Sequence, residues 1–247
     1  MRTVSDVLVL CYHAVAADWP ADLAVTPPNF ERQVVMMQRR GYRGATFHDA
    51  VTHPPWPKTL AITFDDAFRS VFAYAFPLLA GLDVPATVFV PTRHVATGLP
   101  MAWAGIDRWV GGAYEHELVG MSWEELETLA QAGWEIGSHT RTHPHLTRLA
   151  DDELARELRG SRDDCEARLG MRCVTLAYPY GDLDARVVAA AADAGYVAAC
   201  ELSRRLAPAG PLRFPRVGVY HRDGIARFWL KASRAVRGLR AIGFRTR

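Results

Sequence analysis

Three observations predict an α/β domain built on a parallel sheet. Strand-like apolar runs at 7–12, 60–64, 84–90, 134–137, 173–177 and 196–200 alternate with longer amphipathic stretches, the pattern that right-handed βαβ crossovers produce. Two of these runs end in clusters of Asp and His, at the strand ends where parallel α/β folds build their sites. The length, 247 residues at 49% apolar composition, suits one barrel-sized domain with a large core. Periodicity alone allows either a closed barrel or an open doubly wound sheet.

Residues 7–12 form the first core strand and end at His13. The run into Cys11 looks superficially like a lipoprotein cleavage site, but it is too short, Leu10 is not small, and the apolar run continues into Tyr12. Prolines 20, 27 and 28 lead to a helix over 30–40, capped by Asn29 and stopped by Gly41. After the strand at 60–64 a helix is expected over 67–80, divided by Pro77. The stretch 91–121, with Trp103, Trp109 and Tyr114, lacks periodicity and has the character of a binding loop. Ser122 and Glu125 make a capping box for a helix over 123–132. Further helices are expected over 151–169 and 185–194, and a late strand over 217–220.

The last segment differs. Ile225, Phe228, Trp229, Ala232, Val236, Leu239 and Ile242 recur at helical steps, while Lys231, Arg234, Arg237, Arg240, Arg245 and Arg247 follow with no acid after Asp223. The chain therefore divides into a main region, 1–224, which carries the Asp and His clusters, and a basic amphipathic helix and tail, 225–247. A cationic face beside Trp and Phe is suited to peripheral contact with an anionic membrane. Net charge is +2, so the rest of the chain is mildly acidic, and no nucleic-acid-binding motif is present. Cys11, Cys165, Cys173 and Cys200 form no Cys-x-x-Cys pair and are expected as reduced, buried thiols. That thiol usage, with no signal peptide or transmembrane run, predicts a cytoplasmic protein, peripheral on the inner membrane face.

Asp65 and Asp66 close the strand at 60–64, and His139 and His143 follow the strand at 134–137 at a spacing that puts two imidazoles on one side of a helical turn. One carboxylate with two imidazoles is a ligand set for a catalytic divalent metal, which leaves the second carboxylate free as a base. Adjacent aspartates alone more often cap a helix, and a lone His-x-x-x-His is seldom a site. Together, both at strand ends, they favour a metal centre.

Thr63-Phe64-Asp65-Asp66, His139-x-x-x-His143 and Ala177-Tyr178-Pro179-Tyr180-Gly181 resemble the first three motifs of the polysaccharide deacetylases, carbohydrate esterase family 4, also called the NodB-homology domain. The resemblance extends over about 7–219. It implies a distorted (β/α) barrel of seven parallel strands. It further implies that Asp66, His139 and His143 hold one divalent ion, zinc first, with cobalt, nickel or manganese as alternatives. Asp65 is then the base that takes a proton from the attacking water, and the backbone N–H of Tyr180 a donor to the oxyanion, with Pro179 stiffening the turn.

Two departures accompany the likeness. The family's third motif often opens with an arginine that orients the catalytic aspartate; here that position is Ala177, and Arg216 is the candidate replacement. No late Leu-x-His occurs, so His221 is the nearest candidate for the acid that protonates the leaving amine, with His13 in reserve. His13, Pro179 and Arg216 are also grouped as substrate-binding positions. The expected activity is metal-dependent N-deacetylation of an amino sugar, with the N-acetylated saccharide as partner. An amidase or esterase on another acyl group, and an inactive sugar-binding module, are the alternatives.

Overall fold

The computed structural model describes residues 5–203 and 205–242. Strands are β1 (Asp6–Tyr12), β2 (Ala14–Val15), β3 (Ala24–Val25), β4 (Arg43–Ala45), β5 (Lys58–Phe64), β6 (Thr87–Val90), β7 (Glu135–Ser138), β8 (Thr175–Ala177), β9 (Ala198–Glu201), β10 (Phe214–Pro215) and β11 (Val217–Gly218). Helices are α1 (Pro27–Arg39), α2 (Phe47–Thr52), α3 (Phe76–Gly81), α4 (Trp123–Gln131), α5 (Asp151–Leu169), α6 (Ala185–Asp193), α7 (Ile225–Ala232) and α8 (Arg234–Ala241).

The main sheet is parallel and runs β10-β9-β8-β7-β6-β5-β1-β11, with β4 beside the first half of β5. Only Arg216 separates β10 from β11, and these two pair with opposite ends of the row, on β9 and on β1. Segment 214–218 thereby closes the sheet into a barrel. Counted as one bent strand it gives the seven staves expected, plus the short β4.

Strands covered on both faces are apolar almost throughout, because neither face meets water. Leu8, Leu10, Leu60, Ile62, Val88 and Ile136 face the surrounding helices, while Val9, Ala61, Phe89, Ala177 and Cys200 fill the interior. The interior is narrow. A Cβ on Gly137 would lie 2.6 Å from the Phe89 ring and 2.7 Å from Thr175 Oγ1. Phe47 of α2 closes the far end, its ring 5.7 Å from that of Phe89, which leaves the C-terminal strand ends as the open mouth.

Most elements match the sequence expectation, α5 to the residue, ended by Gly170 in the left-handed region at φ 65. The capping box of Ser122 and Glu125 is formed at α4. Residues 67–80 differ. Ala67 has φ 50, residues Val71–Ala75 make a π-helical turn, and α3 begins only at Phe76. Pro77 has no N–H for the carbonyl four residues back, so the regular ladder cannot run through it.

The single helix expected over 225–244 is two helices, broken at Ser233, whose hydroxyl accepts from the Val236 amide and caps α8. Residues 243–247 lie outside the described part. Phe228 and Ala232 of α7 are buried in the main core with Val34 and Met37 of α1. Arg227 and Lys231 turn to the buried Asp223, and Arg237 to Asp6 and Tyr42. Membrane contact therefore gains no support: the middle of the apolar face is committed to the barrel, although Trp229 and Leu239 remain exposed. Among the described residues no helix is long and apolar enough to cross a membrane.

If α7 is part of the barrel's core, Phe228→Ala should cost about 3–5 kcal/mol in chemical denaturation, the usual loss for a buried phenylalanine. A loss within about 0.5 kcal/mol, typical of surface positions, would make 225–241 an appendage.

Candidate metal centre and cleft

β5 delivers Asp65 to the barrel mouth, its amide still bonded to the Tyr12 carbonyl at 3.0 Å. The carboxylate is buried, and Arg216 grips it with both arms: Nη1 to Oδ1 and Nη2 to Oδ2, each 2.7 Å. Nη1 also donates to Thr63 Oγ1 at 2.9 Å. The Cys11 thiol donates to Asp65 Oδ2 at 3.4 Å, and His13 Nε2 lies 4.0 Å from the same oxygen. Burial would raise the Asp65 carboxyl, but the Arg216 guanidinium outweighs it and holds the group well below the usual carboxylate range. Arg216, between β10 and β11, thus reaches the aspartate that the arginine absent at Ala177 would orient. At 1% exposed it lies behind Asp65 and is not among the residues lining the cleft that Asp65 opens onto; its contact is with the aspartate, whereas the sequence groups it with the substrate-binding positions.

Asp66 follows with φ 70. Its Oδ1 is 3.4 Å from His139 Nε2 and 3.3 Å from His143 Nε2, and is buried with no hydrogen-bond partner among the described residues. His139 Nδ1 lies 2.8 Å from the Ala177 carbonyl, which can only accept, so Nδ1 carries the hydrogen and a neutral ring turns its Nε2 lone pair on Asp66. Lone pairs converging from three buried groups, all within 4.8 Å, suit a divalent cation. Burial lowers the His139 pKa, yet Asp65 and Asp66 outweigh it and hold the pKa above its ordinary value; a metal at this point would compete with a proton for the same nitrogen. Burial lowers His143 to about 3.

The two histidines do not sit on a helical turn. Thr140 and His143 have φ of 66 and 59, and the loop is held by Glu157, which accepts from the amides of Arg141 and Thr142 at 2.8 and 3.0 Å. The His143 ring is oriented by packing: Trp103 stacks on it at 4.2 Å, and Tyr180 meets it edge-on at 4.6 Å. Its buried Nδ1 has no hydrogen-bond partner among the described residues.

These groups open onto one cleft of about 380 Å³, lined among others by His13, Asp65, Trp103, Tyr180 and Tyr220. Trp109 and Tyr114, from the same irregular stretch, pack in a separate cluster with Trp19 and Phe68. Tyr180 takes φ 58 at the cleft edge, over the buried Pro179. Pro179 is not among the lining residues, contrary to its grouping as substrate-binding. His221 is exposed and outside the cleft; its amide donates to the Asp22 carbonyl at 2.8 Å and its ring meets the Ala24 carbonyl at 3.1 Å. Of the two candidates for the acid, His13, 9% exposed, is the one that lines the cleft beside Asp65, and His221 lies away from it. Cys11, Glu157 and Tyr220 escaped sequence reasoning, since no motif marks them.

Residues 52–199 match the family described as Polysaccharide deacetylase. YxkH of Bacillus subtilis (strain 168), named for the same family, is 25% identical over 193 residues, 76% of this chain and 61% of that protein. The poly-beta-1,6-N-acetyl-D-glucosamine N-deacetylase of Staphylococcus aureus (strain MRSA252) is 24% identical over 171 residues, 64% of this chain and 54% of that one. The chain thus spans little more than half the length of these relatives. The Streptococcus pyogenes deacetylase PplD, solved with acetate, superposes with a TM-score of 0.77 at 22% identity, covering 92% of this chain and 98% of that one. A polysaccharide deacetylase from Bacillus cereus gives 0.73 at 25% identity, covering 93% and 69%. The match over 52–199 takes in more than half of the sequence and both halves of the candidate metal centre, and the chain belongs to the polysaccharide deacetylase family.

Proposed function

We propose that the protein hydrolyses the acetamide of an N-acetylated amino sugar, in a polysaccharide, glycolipid or smaller glycoconjugate, and releases acetate. The observation that carries this reading is an ionised, clamped Asp65 beside the converging Asp66, His139 and His143 in one cleft. The Staphylococcus aureus relative is named for N-deacetylation of such a polymer, and PplD was solved with acetate.

A divalent ion held by Asp66, His139 and His143 would polarise the acetamide carbonyl and acidify water. Mixed carboxylate and imidazole donors suit zinc, cobalt, nickel or manganese, and zinc is our first assignment. Asp65 takes one proton from the water that attacks the carbonyl carbon. Arg216 keeps that carboxylate ionised and fixes its plane, so it accepts the proton without first losing one. The backbone N–H of Tyr180 donates to the oxygen that gains charge, a contribution of about 3 kcal/mol for a fixed donor. His13, buried and held below its ordinary pKa by that burial, relays the proton from Asp65 to the departing nitrogen. Water's second proton first stays on the carboxyl group, and acetic acid then gives it up to solvent or the freed amine, so acetate and the amine, protonated according to pH, are the products.

Asp65→Asn should nearly abolish acetate release with metal content unchanged, whereas His139→Ala or His143→Ala should lose the metal, as measured by elemental analysis. Equal metal loss in Asp65→Asn would reverse the roles of the two aspartates. His13→Ala should lower kcat by about 10² to 10⁴, the usual range for a general acid, while His221→Ala stays within a few fold of the parent. The opposite ranking would return the acid role to His221.

A further inference from the structure

Side chains alternate along a strand. Arg216 turns into the barrel towards Asp65, and Val217 faces the outer core, so Gly218 lies on the inner side. A Cβ there would stand 2.8 Å from the Tyr220 phenolic oxygen and 2.9 and 3.0 Å from its ring carbons. The Tyr220 ring therefore fills the space above Gly218, whose backbone is paired with Cys11, the residue whose thiol contacts Asp65. From behind, the Tyr220 amide donates to Asp223 Oδ2 at 2.9 Å, and Lys231 Nζ lies 5.1 Å from the ring centre. The ring lines the cleft, yet its hydroxyl makes no hydrogen bond among the described residues. Burial pushes the phenol up to about 12, so it remains an O–H donor throughout the neutral range.

We propose that Tyr220 touches the substrate, its phenol donating a hydrogen bond to a sugar oxygen on the Asp65 side of the cleft, and that Gly218 is the position that admits the ring. The hydroxyl is not among the buried, unpartnered polar atoms, so water reaches it in the free protein, and a sugar oxygen that accepts from it takes the place of that water. Sites of this kind discriminate strongly against ligands lacking the matching group. The substrate class rests on the deacetylase reading; the placement of Tyr220 does not.

The test uses the full-length, metal-loaded protein with N-acetylglucosamine pentamers, β-1,6- and β-1,4-linked, by calorimetric binding and by acetate release. Tyr220→Phe should weaken binding of at least one pentamer about tenfold, with metal content and melting temperature unchanged. Gly218→Ala should weaken binding in the parent but add nothing in a Tyr220→Ala background, because the ring it displaces is already gone. Parent-like binding by Tyr220→Phe overturns the contact, and an equal Gly218→Ala loss in both backgrounds overturns the role of the glycine. Binding of pentamer by the parent without acetate release would defeat the deacetylase reading while still deciding Tyr220. No binding by the parent would overturn both.

Discussion

The buried pair of Arg216 and Asp65 constrains the site more than any other contact. Two charges taken out of water are stabilising together only when the geometry is good and the remaining donors are used. Here both carboxylate oxygens accept from the guanidinium, and its Nη1 finds Thr63 as well, while its Nε is left without a partner among the described residues. Satisfying them requires an arginine to enter the barrel from the closing strand, and segment 214–218 changes partner at that residue, from β9 to β1. Closure of the barrel and orientation of the proposed base are thus met by one residue. Interior neighbours accommodate the arrangement: Arg216 lies 5.6 Å over the Phe89 ring and close enough to the small Cys11 and Cys200 for its charge to act on both thiols.

Backbone strain concentrates around the same pair. Of seven non-glycine residues with positive φ among the described residues, Asp66, Ala67, Thr140, His143 and Tyr180 belong to the site or adjoin it. Such conformations cost about 1–3 kcal/mol each and persist where their surroundings over-determine them. The surroundings do so here through Glu157 on the histidine loop and the stacked rings of Trp103, His143, Tyr180 and His145. The strain turns Asp66 and His143 back towards one point, an arrangement that a regular helix or strand leaving β5 or β7 would not give.

The sequence makes the barrel and the metal group legible, because apolar runs and residue types at strand ends are local signals. Asp65, Asp66, His139 and His143 need only that. The histidine loop is less readable, since positive φ at Thr140 and His143 leaves no compositional trace, and a spacing of four is equally the spacing of a helical turn. At 220–221 the difficulty lies in a turn. The strand ends at Gly218 and a turn over 220–223 follows, so His221, chosen for its chemistry, is carried to the Asp22–Ala24 segment while Tyr220 lines the cleft. The break at Ser233 was masked by apolar periodicity that runs through it, although serine is a good cap.

The two C-terminal helices belong with the site for a physical reason. Asp223, 2% exposed, sits between the cleft wall and α7. Its carboxylate takes the Tyr220 amide on one side and Lys231 and Arg227 on the other. Its carbonyl accepts from Gln33 of α1, which in turn accepts from the Tyr12 hydroxyl at the end of β1. A buried carboxylate needs such partners, because each one withdrawn leaves charge uncompensated in a medium of low polarity. The basic residues of α7, which in sequence suggest an anionic surface outside the molecule, meet an acid within it. What they hold in place is the turn that carries Tyr220 into the cleft.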